Sequence, residues 1–298
     1  MRTADRLLVT GARGFLGSHI VARARAEGWE VVAPPRDSSA DALDVRDPAS
    51  VETVFSACRP TAVIHCAAYG VNYSDQAFEA ALAVNVEGSL NVVTAAARHR
   101  VERLVHVGSC FEYGSKAGPI REDTVLAPTA VYGATKAAAT LLVRERARML
   151  GLDVVIARPF AMWGPGEAPH RLVPQIIHAC LRRAPLELTS CELIRDFTYV
   201  EDMAAHLLCL ALVRDVVPGT IVNLGAGRGI VLREFVLAIA RLLGGETLMR
   251  FGALPYRPTE MPSLIANTAR MRELLGERPA TSLEEGVRRM LASMPRQV

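Results

Sequence analysis

Short β-prone runs alternate with helix-length amphipathic runs through the first half of this chain, and that alternation leaves few folds open. Residues 6–10, 30–33, 62–65, 103–107 and 153–157 read as strands, and residues 15–27, 77–99 and 130–150 carry helical spacing between them. Strands joined through helices run parallel, and a parallel sheet is stable only with both faces covered. The texture changes after Arg158-Pro159, where Pro165, Gly166, Pro169, Pro174 and Pro185 break up the pattern. Loops and short helices of a second, smaller lobe are expected there. The chain then returns toward the first lobe, with a strand entry at 197–200, a helix running to Val213, and a strand at 221–224.

The first strand runs straight into Thr10-Gly11-Ala12-Arg13-Gly14-Phe15-Leu16-Gly17, and a helix follows at once. Glycines at such a junction let backbone amides approach a pyrophosphate at a helix N-terminus, where the helix dipole favours negative charge. A strand before and a helix after give the triplet the context a dinucleotide site requires. The expected fold class is therefore α/β, a Rossmann-type doubly wound parallel sheet with a smaller C-terminal substrate-binding lobe. The expected division assigns residues 1–160, with 197–224 returning, to the dinucleotide-binding domain. Residues 161–196 and 225–298 form the second lobe.

The end of the second strand bears on which dinucleotide is bound. An acidic residue there holds the ribose 2′-hydroxyl of NAD, whereas a basic residue accommodates the 2′-phosphate of NADP. Pro34-Pro35 stands where the acid is expected, Arg36 follows, and Arg13 lies in the glycine loop. Two guanidiniums suit a phosphate dianion, so the expected cofactor is NADP. Asp37 keeps NAD open as the alternative.

The chain has 34 lysines and arginines, yet Lys116 and Lys136 are its only lysines, and Lys136 follows Tyr132 by four positions. On a helix those two side chains share a face. An ammonium beside a phenol favours the phenolate, which makes the phenol a usable proton donor and acceptor near neutrality. A net charge of +3 without any run of like charge argues against nucleic acid and a membrane surface as partners. Six dispersed cysteines (Cys58, Cys66, Cys110, Cys180, Cys191, Cys209), with no paired spacing, suggest reduced, metal-free thiols in a cytoplasmic protein. The apolar start is too short for a signal peptide, and residues 207–213 are too short to span a bilayer.

Several motifs in order then carry a resemblance. The glycine loop, Asp44-Val45, His65-Cys66-Ala67-Ala68, Ser109, Tyr132-x-x-x-Lys136 and Arg195-Asp196-Phe197-Thr198-Tyr199-Val200-Glu201-Asp202 together resemble the extended short-chain dehydrogenase/reductase family. More narrowly they are similar to its nucleotide-sugar epimerases, dehydratases and ketoreductases, from about residue 6 to 290. The resemblance implies that Gly11, Arg13, Gly14, Phe15, Leu16, Gly17 and Arg36 hold the dinucleotide. Asp44 and Val45 would contact its adenine, Ala67 and Ala68 would lie along its ribose, and Pro159 would border it. Asn85 would brace the central strands. Ser109 would hydrogen-bond the substrate oxygen that Tyr132 protonates or deprotonates, while Lys136 grips the nicotinamide ribose. For a nucleotide-sugar substrate the implied contacts are Cys110 and Phe111, the diphosphate-clamping Arg195 and Arg257, the weaker candidate Arg171, and Glu260 at a ribose. Relatives pair their two long helices with a second copy, so a homodimer is expected.

Departures from the family pattern narrow the reaction. Sugar 4,6-dehydratases follow the catalytic hydroxyl with Asp-Glu, whereas this chain has Cys110-Phe111, which supplies neither acid nor base. Ala161 also stands where many relatives place an asparagine against the substrate. The expectation is NADPH-dependent reduction of the C4 ketone of a nucleotide-diphosphate 4-keto-6-deoxyhexose. The alternative is a nucleotide-sugar 4-epimerase with tightly bound NAD. More remotely, a non-catalytic dinucleotide-binding sensor would share the fold.

Overall fold

The computed structural model describes residues 6–35, 42–72, 75 and 77–294. Through the first half run β1 (Arg6–Thr10), α1 (Phe15–Ala26), β2 (Glu30–Val32), α2 (Pro48–Cys58), β3 (Ala62–His65), α3 (Phe78–Ala81), α4 (Gly88–Arg98), β4 (Arg103–Val107), β5 (Pro119–Ile120) and α5 (Val131–Leu150). The middle holds β6 (Val154–Pro159), β7 (Ala161–Trp163), α6 (Leu172–Arg182), β8 (Leu186–Glu187), β9 (Ile194–Arg195), β10 (Phe197–Tyr199) and α7 (Val200–Leu212). Then come β11 (Thr220–Leu224), β12 (Ile230–Val231), α8 (Leu232–Leu242), β13 (Met249–Arg250), β14 (Ser263–Ala266), α9 (Ala269–Leu275) and α10 (Leu283–Ser293).

Six parallel strands form the main sheet in the order β11-β6-β4-β3-β1-β2. Because successive side chains point to opposite faces, each strand feeds two cores. Leu7, Val9, Ile64, Val105, Val155 and Ala157 pack with α1 and α7 on one face. Leu8, Val63, Leu104, Val154 and Ile156 pack with α2, α4 and α5 on the other. The strand order reverses between β1 and β3, and ligands of such sheets bind in the crevice at the carboxyl ends of the strands there. The glycine loop after β1 and Cys66-Ala67-Ala68 after β3 both lie at that point.

Three features differ from the pattern read along the sequence. Helix α2 was not anticipated, although Asp47 caps it by accepting from the Ala49 N–H at 3.0 Å and Pro48 occupies its first turn. Residues 78–98 do form one continuous helix, but a π-helical segment, Leu82–Glu87, joins α3 to α4. That helix is long and apolar enough to cross a membrane by length and composition alone, and over half of its most apolar window is buried inside the fold. Finally, β10 pairs in parallel with β7 and adds nothing to the six-stranded sheet.

The second lobe carries a four-stranded sheet, β12-β9-β14-β5, and a two-stranded pair, β13-β8. Its main core gathers Trp163, Ile176, Phe235, Ile239 and Met290. A smaller core of Cys110, Tyr113, Ile120, Phe160, Met261 and Leu264 fastens that sheet beneath the loop after β4. Asp196 ties the chain after β9 to the segments after β11 and in β14 through backbone hydrogen bonds. Its buried carboxylate accepts from the N–H groups of Ala226, Gly227 and Ala266 at 2.8, 3.0 and 3.0 Å.

Candidate active site

Two clusters of predicted residues lie at the carboxyl ends of the central strands. The first is the glycine loop. Gly11 has a φ of 68°, and a Cβ on it would stand 2.8 Å from the Ala67 nitrogen, so these two predicted cofactor residues abut. A Cβ on Gly17 would overlap the Gly11 carbonyl oxygen. Helix α1 begins after Gly14 with no side-chain cap and no acidic residue in its first turn, which leaves its N–H groups and positive dipole end for an anion. Phe15 and Leu16 are half-buried in that turn. These features fit a dinucleotide pyrophosphate.

Beyond the glycine loop, two further cofactor candidates have fixed partners. Asp44 pairs with Arg46 through two close contacts, at 2.9 and 2.6 Å. Val45 is buried, with its carbonyl accepting from Asn91 at 2.9 Å. Ala68 is exposed just after β3, and Pro159 is buried at the end of β6. Arg13 is exposed in the loop, and Arg36 lies outside the described residues.

The second cluster surrounds Tyr132. Ser109 follows β4, and its side chain lies beside the Tyr132 phenol, close enough to favour the phenolate. Its hydroxyl also accepts from the Phe111 N–H at 3.2 Å. Lys136, one turn after Tyr132 on α5, is 2% exposed and donates from Nζ to the Val107 carbonyl at 2.6 Å. Helical spacing sets Tyr132 and Lys136 on one face of α5, and the turn after β4 brings Ser109 to the phenol.

Their electrostatics differ from the expectation. Burial pushes the Tyr132 phenol above its ordinary value, opposed by the nearby Ser109 side chain and, more weakly, by Arg171. Lys136 is no leading influence on it. Burial also lowers the Lys136 ammonium to about 8, a shift that nearby Glu112 opposes. Cys66 and Cys110 are both pushed up to about 12 by burial, so each is a neutral thiol and no nucleophile.

A polar scaffold holds this cluster from behind. Asn85, in the π-helical segment, accepts from the Tyr69 N–H at 2.8 Å and donates to the Tyr69 carbonyl and to Thr135 Oγ1, both at 2.9 Å. It ties the loop after β3 to α5. His65 reaches Thr10 Oγ1 at 2.6 Å and Ser89 Oγ at 3.0 Å, and burial lowers its pKa to about 3. It is a neutral strut between β1 and α4.

Substrate candidates form a third group. Phe111 is 43% exposed and meets the Tyr132 ring edge-on, with centroids 6.0 Å apart. Arg195 donates to the Met261 carbonyl at 2.8 Å and to Glu260 Oε2 at 3.2 Å. Its charge reaches Cys110, which places it beside the turn after β4. Arg257 is exposed three residues from Glu260, and its carbonyl accepts from the Glu260 N–H at 3.0 Å. Arg171, immediately before α6, stands 3.7 Å from Glu167, whose carboxyl burial raises to about 7.

Two residues escaped the sequence reading. Glu112 is fully buried against Arg158, with Nη2 to Oε2 at 2.7 Å. Only the partner 46 positions away reveals its place. Among the described residues no cluster of His, Cys, Asp and Glu could hold a metal ion.

Comparison with known proteins agrees with this geometry. The sequence profile described as the NAD dependent epimerase/dehydratase family matches residues 7–225. The UDP-glucose 4-epimerase of Azospirillum brasilense is 29% identical over 98% of this chain and 92% of its own length. Among solved structures, MoeE5 in complex with UDP-glucose and NAD is 31% identical, with 96% and 97% of the chains covered and a TM-score of 0.85. The UDP-glucose 4-epimerase of Thermus thermophilus, solved as a complex with NAD, is 28% identical, with 97% and 98% covered and a TM-score of 0.85. These complexes overturn the expected preference for NADP, since the similar proteins hold NAD. That expectation rested on Arg13 and Arg36, and a guanidinium selects a 2′-phosphate only where the fold aims it there.

Proposed function

The chain belongs to the NAD dependent epimerase/dehydratase family, and from that premise we propose that it is a UDP-hexose 4-epimerase working with NAD retained through the cycle. The observation that carries this reading is the convergence of the Ser109 side chain on the Tyr132 phenol, with Lys136 one turn further on, beside a position where elimination chemistry has no acid or base. Cys110 is a neutral thiol, Phe111 a phenyl ring, and Glu112 is committed to Arg158. A site with one proton shuttle and no second acid–base pair is suited to reversible oxidation and reduction at one carbon. The similarity to proteins solved with UDP-glucose and NAD favours epimerisation over net reduction.

NAD, when bound, supplies the two-electron acceptor and donor chemistry at C4 and a positive charge near the phenol. The glycine loop and the first turn of α1 would hold its pyrophosphate, with Lys136 directed to its nicotinamide ribose. Tyr132 takes the proton of the C4 hydroxyl as the sugar is oxidised to the 4-ketone, and gives it back once the opposite face of the sugar is presented. Ser109 holds the reacting oxygen beside the phenol. Arg195 and Arg257 clamp the diphosphate with forked donors, and Arg171 lies where it can assist. Phe111 bounds the sugar next to Tyr132.

The test is product analysis with UDP-glucose, UDP-galactose and UDP-glucuronate, with no reductant added. Interconversion of a C4 pair supports the reading. Turnover of only a nucleotide 4-keto-6-deoxyhexose, with stoichiometric consumption of NADPH, refutes it.

Assembly follows from the same surface logic. Phe78, Leu82, Leu141, Leu142 and Met149 are exposed along α5 and the 78–98 helix. We propose that a second copy covers them in a homodimer, to be read from light scattering after size-exclusion chromatography.

A further inference from the structure

We infer that the buried Glu112–Arg158 pair is a positioning device that fixes the catalytic turn at Ser109 against the face of α5 carrying Tyr132 and Lys136. The inference rests on the epimerase reading for its rate assay but not for its structural one.

Glu112 exposes 0% of its surface and Arg158 1%. One carboxylate oxygen accepts from the Ser109 backbone N–H at 2.8 Å and from Thr140 Oγ1 at 3.1 Å. The other accepts from Arg158 Nε at 2.8 Å and lies 2.7 Å from Nη2. A single carboxylate thus joins three elements: the turn after β4, helix α5 and strand β6. Thr140 lies one helical turn beyond Lys136 and two beyond Tyr132, so all three share a face of α5. Fixing Thr140 relative to the Ser109 nitrogen fixes the phenol relative to the serine hydroxyl.

The surroundings are shaped around this carboxylate. A Cβ on Gly108 would overlap Glu112 Oε1. The Arg158 guanidinium stacks over the Tyr113 ring, 4.5 Å from its centroid, and the Tyr113 hydroxyl in turn donates to Asn223 Oδ1 at 2.7 Å. Arg158 also precedes Pro159, the last residue of β6, at the edge of the proposed nicotinamide site.

Stability alone is a poor account of the pair. Two charges removed from water gain little over well-packed apolar groups of similar volume, and Arg158 Nη1 is left buried without a hydrogen-bond partner. What an apolar pair cannot supply is an acceptor shared by the Ser109 N–H and the Thr140 hydroxyl. The directional demand of proton transfer gives that acceptor its use, because a misplacement near 1 Å lowers a rate by about 10²-fold.

The experiment compares wild type with the double variant E112V/R158L and the milder Thr140→Val, all as NAD-bound protein. The double variant removes both charges together and leaves neither unpaired, and Thr140→Val removes one bond to the carboxylate. Expected for the double variant are a thermal midpoint near that of wild type, KM for UDP-glucose within about twofold, and kcat lower by about 10²-fold. Thr140→Val should show a smaller kcat loss at unchanged KM. Crystal structures of wild type and the double variant supply a readout independent of substrate, in which the double variant shows Ser109 Oγ displaced relative to Tyr132. A folded double variant with kcat within twofold of wild type overturns the inference, as does an unmoved Ser109. If wild type turns over no UDP-hexose, the proposed function fails, and the Ser109 position still decides this inference. A double variant that fails to fold leaves the decision to Thr140→Val, where unchanged kcat overturns it.

Discussion

Replacing Lys136 by methionine should make the nucleotide-free protein more stable at neutral pH while abolishing its activity. The ammonium is 2% exposed, and its one hydrogen bond runs to the Val107 carbonyl. Burial lowers its pKa from 10.5 to about 8. The unfolded chain therefore takes up the lysine proton at higher pH than the folded one, so stability falls as pH drops from 10.5 to about 8 and is level below that. The full fall corresponds to about 3 kcal/mol, and loss of the bond to Val107 returns about 1 kcal/mol, so Lys136→Met should be about 2 kcal/mol more stable at pH 7. By about pH 9.5 the folded lysine is mostly neutral and the advantage should shrink to nearly zero. Urea unfolding of both proteins at the two pH values measures the difference. A stability difference that does not change with pH, or a variant less stable at pH 7, would refute the reasoning.

Three further perturbations test separate parts of the account. Tyr132→Phe should lower kcat by about 10²–10⁴-fold with the fold retained, as read from steady-state kinetics and circular dichroism. Gly17→Ala places a Cβ into the Gly11 carbonyl and should weaken NAD binding at least tenfold by calorimetry, alongside a stability loss of about 1–3 kcal/mol. Asp196→Ala strands three backbone N–H groups and should destabilise the fold by at least about 3 kcal/mol in urea titration, with Asp196→Asn recovering part of that.

The parallel sheet was readable from the sequence because β1, β3 and β4 are short apolar runs buried on both faces and separated by helices. The glycine loop and the Tyr132–Lys136 pair were equally readable, since both depend on local geometry: one on a strand-to-helix turn, the other on a helical repeat. Helix α2 had a signal in Asp47-Pro48, a cap followed by a first-turn proline, that outweighs its weak periodicity. Other features had no local signature. The pairing of β10 with β7 joins segments more than thirty residues apart. The Glu112 carboxylate depends on Arg158, a partner 46 positions away that no local spacing names. Spacing also misjudged the phenol, because i and i+4 proximity says which charges are near and nothing about how much water is excluded. Burial set the direction for Tyr132 and Lys136 alike. The choice between NADP and NAD failed for a related reason: it turned on where two arginine side chains are aimed.

The central claim is that the hydrogen on C4 leaves the sugar and returns to it inside one closed site, with Tyr132 moving only the hydroxyl proton. UDP-glucose carrying deuterium at C4, incubated with the protein in ordinary water without added cofactor, tests this directly by mass spectrometry and proton NMR of the products. The account predicts UDP-galactose with the deuterium retained at C4. Exchange of that deuterium with solvent, or the absence of any C4 epimer, would contradict it.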